Sequence, residues 1–400
     1  MSVRLLPLVD ARARYLHRAF TVARAGEGRF ARADGLIATH RADQVPWAYD
    51  PMTGGCLGLM LEPAATNLML QSDTLNTTWT TVRATLAAAP SIVAPDGSNN
   101  VWKLTGSTDD NSHYIQQTFT RATSTTYQFT VWVKAAELTT ASMISSIFSN
   151  YTTPANCNIN LTTGANVAGN GSARQHPNGW WECSAPSLTT GSATSSGVFL
   201  IQLHNGTTSS FVGDAAQGVY LWSGQLEQSA YRTSPIKTTT GTVTRGQVFV
   251  AMPVGSLPGY TATELTMVAK FRLNAVTAGI HTIWILDNNA AAERIQLRVS
   301  GGTLQVIVAT GSVVQASVDL GTAVANTTYK VAFAGTAGSF AASLDGATPV
   351  VVSSGSMPAP THLRLGNRTS VASDPMIGTL EYCAYAPRVV SQAQLQQLAA

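Results

Sequence analysis

The sequence predicts an all-β protein: an irregular N-terminal arm, two antiparallel β-sandwiches in series and one short C-terminal helix. Three observations carry that prediction. Charged residues are 11% of the 400 residues, against about a quarter in an ordinary globular domain. Glycine and proline supply 33 and 17 positions, the punctuation of a turn-rich chain. Long stretches alternate apolar and polar with period two, and no helical period intervenes. An apolar content of 44% is too high for disorder, and a chain of this length can bury two or three cores.

The arm comes first. Residues 1–41 hold eight arginines against Asp10, Glu27 and Asp34, so more positive charge lies here than the net +3 of the whole chain. Arg12, Arg14, Arg18, Arg24 and Arg29 stand singly among Ala, Leu and Phe, without the aromatic–basic interleaving that stacks on nucleic-acid bases. Docking on an acidic or crevice-bearing protein surface is the better expectation. Residues 12–20 could form a short helix, Gly26, Gly28 and Gly35 break the chain after it, and such a segment orders on meeting its partner. Removing residues 1–41 is therefore expected to leave a folded body. Residues 5–9 are too short for a signal-peptide core and run into Asp10 and Arg12. No stretch reaches the eighteen apolar residues of a membrane span, so a chain made and kept in the cytoplasm is expected.

From Thr74 the pattern becomes strands. Residues 114–119 and 127–134 alternate, and the continuous apolar run 198–203 reads as a buried strand. In 129–134, Phe129, Val131 and Val133 point inward, which leaves Thr130, Trp132 and Lys134 on the other face. Tyr220 and Trp222 also share a face. If the two strands are neighbours, Trp132 and Trp222 either build a stacking surface for the C–H face of a sugar or seal the sandwich against the arm or another subunit. The adjacent Trp180 and Trp181 point to opposite faces, one toward the core and one outward. Cys157 and Cys183 could lie on neighbouring strands, although cytoplasmic assembly favours free thiols.

Residues 233–241, rich in Thr with Pro235, form the linker by composition. Beyond it Leu265, Met267, Ala269, Phe271 and Leu273 share one strand face, and Gly301-Gly302 and Asp345-Gly346 supply two-residue hairpin turns. Trp284 and Asp287-Asn288-Asn289 fall at a strand end, where they make a ligand loop or a plain turn. Arg368 could grip an anionic saccharide by its planar fork or pair with a surface acid. Ser391 caps a last helix with Gln394 reaching back, and Leu395 and Leu398 face the sandwich.

Catalytic signatures are missing. There is no nucleophile elbow, zinc-binding helix or phosphate loop, the carboxylates fall in no glycosidase pattern, and Cys56, Cys157, Cys183 and Cys383 lack metal-ligand spacing. The chain reads as a binder and not an enzyme.

Three segments occur in a meaningful order: Tyr49-Asp50-Pro51-Met52-Thr53-Gly54, then Gly58-Leu59-Met60-Leu61-Glu62-Pro63-Ala64-Ala65-Thr66-Asn67-Leu68, then Gly218-Val219-Tyr220-Leu221-Trp222-Ser223-Gly224-Gln225-Leu226-Glu227-Gln228. Together they resemble bacteriophage head-fibre and head-spike proteins, in which a virion-anchoring start leads into a carbohydrate-binding-module-like jelly roll. That resemblance covers residues 34–235. Residues 363–368 and 377–382 resemble the closing strands of laminin-G or concanavalin-like lectin domains, over 243–400. The resemblances imply an anchoring arm and lead-in segment at 1–73, a jelly roll at 74–236 and a concanavalin-like sandwich at 237–400.

The implied protein is a structural component of a virion, a head or neck fibre or spike. Its N-terminus, through Arg12, Arg14, Arg18, Arg24 and Arg29, would hold portal, neck, capsid or tail proteins, and its sandwiches would hold host-surface polysaccharide. The sugar-binding candidates are Trp132, Trp222, Tyr220, Trp181, Trp284 and Arg368. A homotrimer is implied, with no nucleic-acid partner, no membrane insertion and no required cofactor. A structural calcium ion at Glu62, Glu227 or Asp287 is left open, with the bracing of a strand junction as the other role for Glu62 and Glu227. The rival readings are a tailspike or tail fibre that degrades polysaccharide, whose usual β-helix repeats are not visible, and a capsid or tail component that binds only other virion proteins.

Overall fold

The computed structural model describes residues 4–146, 151–153, 155–189, 196–290, 292–368 and 374–400. Antiparallel strands make up nearly all of the regular structure, and one α-helix, Gln392–Ala399, closes the chain. No helix among the described residues is long and apolar enough to cross a membrane.

The first sandwich packs a six-stranded sheet on a seven-stranded one. The six-stranded sheet runs Asn166–Gly169, Asn156–Asn160, Thr140–Ser146, Ser196–His204, Tyr114–Thr120, Thr80–Val82. The seven-stranded sheet runs Ala84–Ala88, Trp102–Gly106, Gly218–Glu227, Thr126–Ala135, Trp180–Thr189, Tyr151–Thr153, with Ser172–His176 also paired to Trp180–Thr189. The alternation resolves as the sequence implies: Phe129, Val131 and Val133 are fully buried and meet Phe199, Ile201 and Met143 from the facing sheet. Phe199 stacks on Phe129 at 4.9 Å. Cys157 and Cys183 are not strand neighbours, because one belongs to each sheet; both are unbonded and buried. Burial pushes the Cys157 thiol up to about 12.

The second sandwich packs a nine-stranded sheet on a seven-stranded one. Met267, Phe271, Phe333 and Tyr385 line one side of its core, and Val250, Trp284, Leu297, Val306 and Leu363 the other. Gly301 and Gly302 have φ of 55° and 82°, and Asp345 and Gly346 of 47° and 77°. Positive φ at both central residues matches the twist of the flanking strands and makes each a tight hairpin. The final helix has the expected capping box between Ser391 and Gln394. Leu395 is fully buried, and Leu398 packs beside it against Val268, Ala332 and Ala334.

The N-terminal residues differ from an irregular arm. Leu6–Asp10 is a strand of the nine-stranded sheet, paired with Gly378–Ala386, and Leu8, Val9 and Ala11 are buried. Cys56–Leu61 pairs with the start of the same strand. Thr21–Ala23 joins the facing sheet beside Phe249–Pro253. Residues 12–20 form turns and the short strand Tyr15–Leu16, not a helix. The physical reason lies in Gly378–Ala386, whose backbone groups need a partner on that side. A segment too poor in apolar residues for its own core can still complete another. Within residues 233–241, Thr233, Ile236 and Thr238 are buried, while Lys237 and residues 239–241 are exposed.

Candidate functional site

The two tryptophan strands are neighbours, with Trp132 directly opposite Trp222. Their rings meet edge to face at 5.2 Å and 77°. Both are fully buried, beside Trp180 and beneath Ile37, Ala94 and Val101. The hairpin Gly28–Ala31 with Ile37–His40 forms part of this cover. Arg29 lies 5.8 Å over the Trp222 ring and makes a two-pronged pair with Asp73 at 3.2 and 2.7 Å. The stacking platform is thus corrected to an internal seal.

Trp181 does face opposite to Trp180, into the core, where its indole N–H donates to the Leu161 carbonyl at 2.6 Å. Trp180 donates to the Val93 carbonyl at 2.8 Å under the same cover, so neither ring is the exposed one. Trp284 is a core residue of the second sandwich. None of Trp132, Trp222, Trp181 and Trp284 offers a ring to a ligand. Tyr220 is half-buried with the Lys103 ammonium 6.0 Å from its ring. Arg368 is held by Asp374 at 3.2 Å and remains partly exposed.

The calcium candidates are engaged by the protein itself. Glu62 pairs with buried Arg245 at 2.9 Å and accepts from the Ser234 N–H at 3.0 Å. Glu227 accepts from both the N–H, at 3.0 Å, and the hydroxyl of Thr233, and burial pushes its carboxyl up. Asp287 is paired with Arg364 and accepts from the Asn289 N–H at 3.0 Å. At Glu62 and Asp287 the paired guanidinium repels a further cation, and no group of three His, Cys, Asp or Glu that could hold a metal occurs among the described residues. Asn67 completes the junction: its amide donates to the Gly224 and Ile236 carbonyls at 3.1 and 2.8 Å and accepts from the Met69 and Leu226 N–H groups at 3.0 Å. Residues 58–68 and 218–228 therefore meet as the joint between the sandwiches.

The anchoring arginines divide into two kinds. Arg24 is buried, donates to the His40 and Arg41 carbonyls at 3.0 and 2.7 Å and covers the Phe30 ring at 5.3 Å. With Arg29 it builds the fold and is withdrawn from any docking face. Arg12, Arg14 and Arg18 are exposed.

With one outer face of the first sandwich sealed, the other faces outward on the six-stranded sheet. Asn158, Ser142, Gln202, Tyr114 and Val82 stand in register across five strands. Asn160, Thr140 and His204 form the adjacent row. Neither row holds a formal charge at neutral pH. Ser142 donates to the Asn158 carbonyl oxygen at 2.6 Å, and Gln202 donates to the Ser209 carbonyl at 2.8 Å. His204 accepts from the Gly206 N–H at 3.0 Å, and burial lowers its pKa, which keeps the ring neutral. Ser142 and Gln202 are sunk at the centre, while Asn158, Tyr114 and Asn160 are half-buried and Asn156 is exposed. Sequence reading missed this row because it followed the tryptophans. The available signal was Asn156-Cys157-Asn158-Ile159-Asn160, in which an amide recurs on every outward position.

No known family profile matches the chain, and no curated protein matches it. Several solved structures align with part of it. The CBM40 module of the Ruminococcus gnavus IT-sialidase, bound to alpha2,6 sialyllactose, is 13% identical with a TM-score of 0.32 and covers 38% of this chain and 92% of that module. The same module bound to alpha2,3 sialyllactose is 13% identical with a TM-score of 0.33, over 38% and 91%. The binding domain of botulinum neurotoxin DC, in complex with SialylT, is 10% identical with a TM-score of 0.32, over 38% and 39%. These matches set no residue of this chain in a ligand-binding role.

Proposed function

We propose that this chain is a non-enzymatic, glycan-binding structural protein of a bacteriophage virion, a head or neck fibre or spike that attaches to the particle by its N-terminal region. The observation that carries the glycan reading is the uncharged amide, hydroxyl and imidazole row on the six-stranded sheet. The half-buried Asn158 and Asn160 carry amide donors and acceptors at the solvent side of the row, which suits vicinal hydroxyls, and the half-buried Tyr114 adds an aromatic body on the same face. Many weak contacts per particle would sum to useful adhesion. The virion reading is supported by the three ordered segments that resemble head-fibre and head-spike proteins. Attachment through Arg12, Arg14 and Arg18 is supported by their exposure.

A glycan array on the full chain tests the reading. Binding that disappears in the Tyr114→Ala, Asn158→Ala double variant, with folding intact, is the expected result; an array with no bound glycan overturns it. Release of sugar from a bound polysaccharide would favour the degrading tailspike instead. One observation favours the rival in which the partners are proteins alone: Val313, Val314, Val350 and Val351 are exposed on the edge strands of the second sandwich, the kind of surface a neighbouring subunit covers. Labelled protein that decorates particles but binds no glycan would establish that reading.

A further inference from the structure

A cleft of about 720 Å³ opens on the outer face of the nine-stranded sheet, in the other sandwich from the amide row. Its floor is a single register row: Asp10, Tyr382, Lys270 and Lys330 stand opposite one another across Leu6–Asp10, Gly378–Ala386, Glu264–Leu273 and Thr327–Thr336. A bulge beside Lys270 adds Glu381 to the floor, 2.7 Å from the Lys270 ammonium. Leu5 and Arg12 wall one side, and Gln397 and Leu398 of the C-terminal helix the other. This cleft depends on the N-terminal strand and the turn after it, which contribute Asp10 and Arg12. Tyr15 carries the row one strand further and is 39% exposed.

The lining decides the ligand class. Lys270, Lys330 and Arg12 are balanced by Asp10, Glu381 and Asp345, so a charged ligand gains little net attraction from the cleft. Lys270 is already paired with Glu381, and Lys330 donates to the Ala400 carbonyl. Ammonium groups that donate, carboxylates that accept and a half-buried tyrosine ring are complementary to a molecule with several hydroxyls and apolar C–H faces. The volume lies within the roughly 300–1,000 Å³ of ligand pockets. We infer that this cleft is a second saccharide site, taking an uncharged sugar residue that packs on Tyr382 and exchanges hydrogen bonds with Lys270, Glu381 and Asp10. The inference rests on the glycan-binding reading but on a different sandwich and different residues.

Saturation-transfer NMR on the full chain tests it, with methyl α-glucoside, methyl α-galactoside, methyl α-mannoside and N-acetylglucosamine as neutral probes and N-acetylneuraminic acid as the charged one. At least one neutral probe should bind. Its affinity should fall about tenfold or more in Tyr382→Ala and remain in Tyr382→Phe. Gln397→Trp, at an exposed helix position that borders the cleft, should block binding without touching the core. Tyr114→Ala with Asn158→Ala should leave this binding in place, which separates the cleft from the amide row. The inference fails if no neutral probe binds, if the acidic sugar alone binds, or if Gln397→Trp leaves binding unchanged. It also fails if the amide-row double variant removes all binding in a folded chain; the first-sandwich site would then stand alone.

Discussion

The two outer faces of the first sandwich share one backbone pattern and have opposite fates. The seven-stranded sheet turns Trp132, Trp180 and Trp222 outward, and the chain covers them with Ile37, Ala94 and Val101. The six-stranded sheet turns Asn156, Asn158, Asn160 and Tyr114 outward, and all four keep contact with solvent. An aromatic side chain buries about 150–250 Å², which at about 25 cal/mol per Å² favours coverage by several kcal/mol per ring. Amides gain nothing comparable from coverage, because each lost contact with water must be replaced by a hydrogen bond. On a sheet face, large rings therefore point to a contact the chain has already made, and amides point to one still available. The carboxylates repeat the contrast: Glu182 and Glu227 lie on the covered face, and no acid lies in the amide rows.

The largest way to break this comparison is to remove the cover. Deleting residues 1–41 takes away Leu8, Val9, Phe30 and Ile37, all buried, and strips a strand from Gly378–Ala386. Loss of the cooperative melt, or a fall of tens of degrees in Tm, is expected by thermal circular dichroism; a truncated chain that melts like the full one would show that the N-terminal region is detachable after all. Next in size is Trp132→Ala, which should cost about 3–5 kcal/mol in denaturant unfolding because it leaves a cavity under the cover. A cost near zero would restore the open platform.

A smaller effect comes from acid. Burial alone would raise the Glu182 carboxyl, but Arg174, Arg232 and His176 outweigh it and hold the group well below the usual carboxylate range. Its contribution is therefore present above the unfolded value, about 4.3, and is lost as pH falls below that toward the folded value. Glu227 runs the other way: burial holds its folded value above the unfolded one, so its ionisation penalises folding at high pH and the penalty fades as pH falls. In melts across pH 3 to 8, Glu182→Gln should lose most near neutrality, and its gap to the parent should begin to narrow as pH falls from about 4 to about 3. The difference between Glu227→Gln and the parent should move in favour of the variant as pH rises. Parallel curves for all three chains would remove both assignments.

The share of the fold that is legible in the sequence depends on what each pattern encodes. Period-two alternation decides which side of a strand each residue takes, and Phe129, Val131 and Val133 obey it. The turns at Gly301-Gly302 and Asp345-Gly346 and the Ser391 cap are readable because their chemistry is local. What covers an outward face is not local. Nothing near Trp132 in the sequence announces that residues 28–40 lie over it, and nothing near Leu6 announces that its strand partner lies at Gly378–Ala386. The segments at 58–68 and 218–228 stand out correctly as related, and they meet as a joint through Glu62, Arg245 and Asn67. The cleft at Tyr382 is invisible for the same reason, since its floor draws on four strands spread from Asp10 to Tyr382.

The smallest expected change in stability is also the sharpest test of the open face. Tyr114→Ala and Asn158→Ala remove half-buried side chains on the outward face; Tyr114→Ala should alter unfolding by about 0.5 kcal/mol or less, and Asn158→Ala should cost about 1 kcal/mol or more. Asn158 is the more sensitive of the two, because it accepts the Ser142 hydroxyl and its loss leaves that buried group to find another acceptor. Asn158→Asp keeps an acceptor there and adds a charge to an uncharged row, so it should preserve the melt while weakening a neutral glycan through the cost of desolvating the new carboxylate. Chemical unfolding and glycan titration on the same samples would separate the two quantities. If Asn158→Asp leaves binding untouched, the row is ordinary surface, and the contrast between the two faces reduces to one of coverage alone.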